Sequence, residues 1–190
     1  MEKLVRELIA QSIGVKECVL KELSKDIAAA AAEITSSICS GGKLLVFGNG
    51  GSAADSQHMA AELVGRFKKE RKALPAIALT VNTSTMTAMA NDYSFDRVFA
   101  RELEALGRKG DIAVGISTSG NSKNVIEAFT AAKKLGIKTI GLLGSGGGKL
   151  KGMCDIPLVV GSDCTPRIQE SHVMIIHIIC EIVENECSKK

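Results

Sequence analysis

Apolar residues recur every three or four positions at the start of the chain, at Leu4, Leu8, Val15, Val19, Leu23, Ile27, Ile34 and Ile38. No proline interrupts them. This period predicts helix over 2–40, broken near Gly14 or Ser24 and closed by "SGGK". The pattern then changes to short, near-continuous apolar runs bounded by glycine or polar loops: "KLLVFG" (43–48), "AIALTV" (76–81), "DIAVGIST" (111–118), "KTIGLLG" (138–144) and "DIPLVV" (155–160). Each reads as a strand covered on both faces. Helical segments are expected between them at 52–66, 84–106 and 122–135, with a shorter one at 147–153 and a long one at 166–186. Strands alternating with helices predict an α/β fold with right-handed crossovers and a parallel sheet. Ligands of such sheets gather at the carboxyl ends of the strands, so the residues that follow each strand carry the chemistry.

Composition narrows the class without naming an activity. The 190 residues suffice for one domain with a substantial core, and 45% hydrophobic with 24% charged residues is ordinary for a soluble globular protein. The net charge of +3 is spread along the chain. Only "RFKKERK" (66–72) is locally basic, and no tryptophan or aromatic platform accompanies it. It reads as a solvated helix end, and no nucleic-acid partner is expected. Six cysteines stand singly at Cys18, Cys39, Cys154, Cys164, Cys180 and Cys187, with no CxxC pair. They read as buried free thiols in a reducing compartment. The amphipathic N-terminus has no apolar signal core, and no apolar run approaches the ~18 residues of a membrane span. A cytoplasmic location with no membrane partner is expected.

Four loops deserve testing for chemistry. After the first strand, Gly48-x-Gly50-x-x-Ala53 fits a loose dinucleotide fingerprint, but the second strand ends "LTVNTST", without the acid that would hold a ribose. "GSGGGKL" (144–150) is one residue short of a phosphate-binding P-loop and lacks its hydroxyl. After the third strand, "STSGNS" supplies Ser117, Thr118, Ser119 and Ser122 before a helix start. One serine would suffice for an N-cap, whereas four hydroxyls beside helix N–H groups suit a phosphate monoester. Asn91-Asp92 falls at a helix end, where turn chemistry alone explains the pair.

The three histidines are His58, His172 and His177. His58 and Glu62 stand at i and i+4 on one helix face, and two histidines share the last helix with Gln169 and Glu170. Histidine with carboxylate and amide oxygen suits zinc, although such spacing also arises by chance. On a continuous helix Gln169 and His177 lie about 12 Å apart and roughly 80° round. Either Gln169 precedes the helix proper, or the two residues serve one ion from different subunits.

Together "GNGGSAADSQHMAAELVGRF", "ANDYSFD", "GDIAVGISTSGNSKNVIEAF" and "TPRIQESHVMIIHII" resemble, in order, the sugar isomerase (SIS) domain family. Within it the chain resembles the bacterial sedoheptulose 7-phosphate, or phosphoheptose, isomerases along essentially all 190 residues. The resemblance implies a single SIS domain over 1–190, with N-terminal helices over 1–40 and a flavodoxin-like α/β core with five parallel strands over 43–188. It implies a homotetramer with active sites at subunit interfaces, one zinc ion per subunit, and conversion of D-sedoheptulose 7-phosphate to D-glycero-D-manno-heptose 7-phosphate, the first step towards activated heptose. Substrate contacts carry over to Asn49, Gly50, Gly51, Asn91 and Asp92, and phosphate contacts to Ser117, Thr118, Ser119 and Ser122. Ser52, Glu62 and Gln169 join the expected substrate-binding set. The implied zinc ligands are His58, Glu62, Gln169 and His177.

An aldose–ketose exchange needs a base, an acid on the opposite oxygen and stabilisation of developing charge. Glu62 is the candidate base for C1 and His177 the candidate acid or proton shuttle. His172 reads as interface or supporting packing. Two competing readings use the same fold: a non-catalytic SIS module that associates with the replication initiator, and an isomerase of a shorter sugar phosphate. The first has no use for Glu62 and His177 together, which favours the enzyme.

Overall fold

Every residue of β1 (Leu44–Gly48) and β3 (Ile112–Ser117) is buried, as the unbroken apolar runs require. In the computed structural model, which describes residues 1–188, they lie at the centre of a parallel sheet completed by β2 (Ala76–Ala78), β4 (Lys138–Leu143) and β5 (Ile156–Val159). The order is β2-β1-β3-β4-β5, the flavodoxin-like arrangement. Alternate residues feed opposite layers. Leu44 and Val46 point to α1 (Glu2–Glu22), α2 (Ser24–Cys39), α3 (Gly51–Val64) and α7 (Thr165–Cys187), while Leu45 and Phe47 point to α5 (Val98–Leu106) and α6 (Lys123–Leu135). The short α4 (Thr83–Asp92) adds Met86 and Met89 to that second layer. Register pairs Gly48 with Ile116, so the loops after β1 and β3 emerge side by side. Strand order reverses between these two strands, the place where open sheets bind ligands.

Several boundaries differ from the sequence expectation. The N-terminal break falls at Leu23, beside Ser24 as one of the two expected places, while Gly14 continues α1 on its open side. The segment expected as one helix over 84–106 is two helices joined by a 3-10 turn, Phe95–Arg97. Tyr93 and Ser94 leave helical geometry there, because Asn91-Asp92-Tyr93-Ser94 favours a turn over continued period. β2 stops at Ala78, and residues 145–152 form only two 3-10 turns separated by Gly148 and Lys149. The expected burial of all the cysteines is also corrected: Cys180 is buried, but Cys18, Cys39 and Cys164 are exposed. Cys18 lies on a helix that buries little besides Ser12 and Val19, and Cys39 closes α2.

His172 is wholly buried within the chain, so of its two expected roles it serves as packing inside the subunit. Its Nε2–H donates to the carbonyl of Leu143 at the end of β4, at 3.1 Å. Burial pushes its pKa down to about 4, against a smaller upward pull from that bond. The unfolded chain protonates this imidazole near pH 6.5, whereas the native chain resists until about pH 4. His172 therefore costs no stability above pH 6.5 and removes up to about 3 kcal/mol as pH falls towards 4. In urea unfolding between pH 7 and 4.5, His172→Gln should lose less stability than the parent. Parallel losses in the two proteins would refute this role.

Candidate active site

The turn between β1 and α3 is shaped by glycine. Gly50 adopts φ 55°, ψ −119°, which an L side chain resists, and lets the chain reverse into α3 within two residues. Asn49 projects from this turn into a reciprocal amide pair with Asn124 in the first turn of α6, at 2.9 and 2.8 Å. The β1 and β3 loops are thereby fastened together. Ser52 is buried beneath the turn, 3% exposed, with its amide bonded to the Asn49 carbonyl.

The loop after β3 is not a simple serine cap. Ser122 occupies the N-cap of α6, but its hydroxyl makes no cap bond and instead meets Ser117 Oγ at 2.8 Å. Ser119 Oγ accepts from the Asn121 amide at 3.2 Å, and Thr118 is half-buried beside it. Gly120 (φ 64°) lies so close to the carbonyl of Gly147 that any side chain would collide. Leu150 N–H donates to Gly120 O, and Lys149 N–H to Asn121 Oδ1. The near-P-loop at 144–150 thus serves as a brace under the serine loop. An uncapped helix start ringed by hydroxyls is suited to an anion.

A second cluster lies farther along α3. His58 Nε2 and His177 Nε2 are 2.8 Å apart, and His58 Nε2 is 3.5 Å from Glu62 Oε1. One donor atom from each of the three residues lies within 4.8 Å of the others. All three residues come from one chain, so His177 needs no second subunit to reach His58. The Phe67 ring stacks 5.6 Å from His177 and walls one side. Two imidazole nitrogens this close can share only one proton, whereas a divalent cation would take both lone pairs. Two histidines and a glutamate make a zinc donor set, so the residues fit the ion.

Gln169 stands elsewhere. It lies within α7, which removes the option that it precedes the helix. A Cβ placed on Gly51 would run into its carboxamide, so in this chain Gln169 covers the glycine turn, two helical turns from His177. Asn91 and Asp92 are exposed and bonded to each other at 2.8 Å, on the layer opposite α3 and α7. Within the described chain they do not join either cluster.

The structure adds residues that the sequence reading passed over. Asp55 falls on the helical stripe Gly51, Asp55, His58, Glu62, a spacing of four, three and four that was visible in the sequence. Burial pushes its pKa up to about 6, with His58 pulling it back, and Asp55 Oδ2 is buried without a hydrogen-bond partner among the described residues. Arg71, expected in a solvated helix end, is 5% exposed at its side chain. α3 ends at Val64, and Arg71 folds back to donate to the carbonyls of Glu62, Leu63 and Gly65 at 2.9, 2.7 and 3.0 Å. It is held by Glu184, which also accepts from the amides of Phe67, Lys68 and Lys69. Neither partner carries a local signal of this pairing.

The SIS domain family model matches residues 8–144. A phosphoheptose isomerase of Clostridium acetobutylicum is 52% identical over 188 residues, covering 98% of this chain and 96% of that protein. The chain belongs to the phosphoheptose isomerase family. Solved phosphoheptose isomerases share the fold along nearly the whole length. That of Neisseria gonorrhoeae has a TM-score of 0.92 at 44% identity, covering 97% of this chain and 98% of its own. That of Francisella tularensis has a TM-score of 0.93 at 40% identity, covering 96% and 97%. Among the described residues no helix is long and apolar enough to cross a membrane.

Proposed function

We propose that this chain isomerises D-sedoheptulose 7-phosphate to D-glycero-D-manno-heptose 7-phosphate, supplying the first intermediate towards activated heptose in the cytoplasm. The observation that carries the reading is the convergence of His58, Glu62 and His177, which a non-catalytic SIS module would not need. Ser117, Thr118, Ser119 and Ser122 with the start of α6 hold the phosphate. Asn49, Gly50, Gly51, Ser52 and Gln169 line or support the approach to the sugar, and Asn91 and Asp92 contribute from their exposed helix end in the assembled enzyme.

His58, Glu62 and His177 would hold one zinc ion, with Gln169 reaching it from a second copy, the alternative that the helix geometry leaves. When bound, zinc polarises sugar oxygens and stabilises developing negative charge. Glu62 has two oxygens and only Oε1 faces His58, so Oε2 is the one to take the C1 proton of the open-chain ketose. The resulting enediol recovers that proton at C2. His177 moves the accompanying proton from O1 to O2, leaving an aldehyde at C1 and a hydroxyl at C2. Asp55, on the same stripe, supports His58. A homotetramer is supported by α1, whose Leu4, Val5, Leu8, Ile9 and Ile13 stay 41–57% exposed in the single chain.

The test is product formation from sedoheptulose 7-phosphate by NMR, run beside arabinose 5-phosphate and fructose 6-phosphate, with metal content measured on the same protein. The expected result is preferential turnover of the heptose and about one zinc per chain. Preference for a shorter sugar phosphate, or no turnover by metal-loaded protein, would overturn the assignment.

A further inference from the structure

We propose that Cys39 and Cys187 are a modification site, a dithiol that an oxidant of the peroxide class closes into a reversible disulfide. Cys39 is the last residue of α2 and Cys187 the last of α7, two helices packed along each other. Their Sγ atoms lie 3.6 Å apart although the residues are 148 positions distant in sequence. A disulfide bond is about 2.05 Å long, so closure needs the sulfurs to approach by only about 1.5 Å at two helix ends. Access is open: Cys39 is exposed, Cys187 half-buried, and a cavity of about 610 Å³ opens beside Cys39. That cavity is lined by Ala28, Thr35, Cys39, Ser40, Ile182 and Glu186. By contrast Cys180 is sealed in the core, where burial pushes its thiol up to about 12.

The more exposed Cys39 reacts first. Its thiolate attacks one peroxide oxygen, the O–O bond breaks, and the second oxygen leaves as water after taking a proton. Cys187 then attacks the sulfenic sulfur, the S–O bond breaks, and the departing hydroxide takes the Cys187 proton to give a second water. Two thiols have surrendered two electrons and become one disulfide. A small-molecule dithiol reverses the step by exchange. The product links the carboxyl ends of α2 and α7 three residues beyond Glu184, whose carboxylate holds the 67–69 amides. The link closes a long loop of chain and so restrains the unfolded state.

The experiment uses the full-length, metal-loaded protein treated with hydrogen peroxide, alkylated to block remaining thiols, digested and analysed by mass spectrometry without reduction. The expected product is the Cys39 peptide joined to the Cys187 peptide, lacking two hydrogen atoms, from chains that migrate as single chains on a non-reducing gel. The thermal midpoint should rise by roughly 5–10 °C and return on adding dithiothreitol. Cys39→Ser and Cys187→Ser should each abolish the crosslink and the shift. Separate alkylation or separate over-oxidation of the two cysteines would overturn the proposal. So would a crosslink between different chains, or an unchanged midpoint shift in Cys39→Ser.

Discussion

Replacing Glu62 by glutamine should lower kcat for sedoheptulose 7-phosphate by about 10²–10⁴-fold, the usual contribution of a positioned general base. That corresponds to about 3–5 kcal/mol of transition-state stabilisation. Glutamine keeps the size of the side chain and one oxygen facing His58, so the fold and most metal binding should survive. It cannot accept a proton from C1. KM should move only a few-fold, because the serine loop at 117–122 is untouched and lies on different strand ends. The decisive reading is isotopic. In deuterium oxide the parent should exchange hydrogen at the reacting carbons during turnover, and Glu62→Gln should lose that exchange in step with kcat. Near-parental kcat in the variant would remove Glu62 from the chemistry. A variant that loses zinc as well as activity would show that Glu62 acts through the ion it holds rather than as the base.

Replacing Glu184 by alanine should destabilise the protein by about 3–5 kcal/mol, the range for breaking a buried, paired charge. The Glu184 carboxylate is 1% exposed and accepts from three backbone amides at 2.7–2.9 Å and from Arg71 at 3.2 Å. Removing it strands those donors and leaves the Arg71 guanidinium without its counter-ion. Burial pushes the Glu184 carboxyl up, but the three amides and Arg71 together outweigh it and hold it below the ordinary carboxylate range. The sign follows: this stability is fully present above the unfolded carboxylate value near 4.5 and is lost as pH falls through the lower folded value. At roughly 2–4 °C per kcal/mol for a chain of this size, the thermal midpoint should fall by about 10 °C. Activity should suffer too, since Arg71 also caps the carbonyl of Glu62. A midpoint within a degree or two of the parent would show that Glu184 is dispensable.

The sequence announced the sheet because its central strands are buried on both faces and have no polar positions to confuse the pattern. It announced His58 with Glu62 because one helix face repeats every three to four residues. That His177 meets His58 was legible only through a family resemblance, since nothing local says which helices pack together. The same limit hid Glu184, which reads as one more acid near the end of a helix until α7 is laid against the 67–71 loop. It hid the amide pair of Asn49 and Asn124, because an asparagine in a loop looks alike whether it faces a ligand or another loop. Helix period failed at 84–106 for a different reason: turn chemistry at Asn91–Ser94 overrode a continuous apolar rhythm. The cysteines misled because thiols within apolar runs suggest burial, yet Cys18 and Cys39 lie on the open sides or ends of their helices.

α3 and α7 run side by side in the same direction and meet at three levels: Gly51 under Gln169, His58 against His177, and the residues just past α3 against Glu184. Seven residues separate Gly51 from His58, and eight separate Gln169 from His177. Each helix advances about 100° per residue, so one inserted residue would swing everything beyond it out of alignment. The two helices are therefore fixed in length as a matched pair, like two rulers pinned at the same three marks. Changes of length in this fold must be absorbed outside that pair.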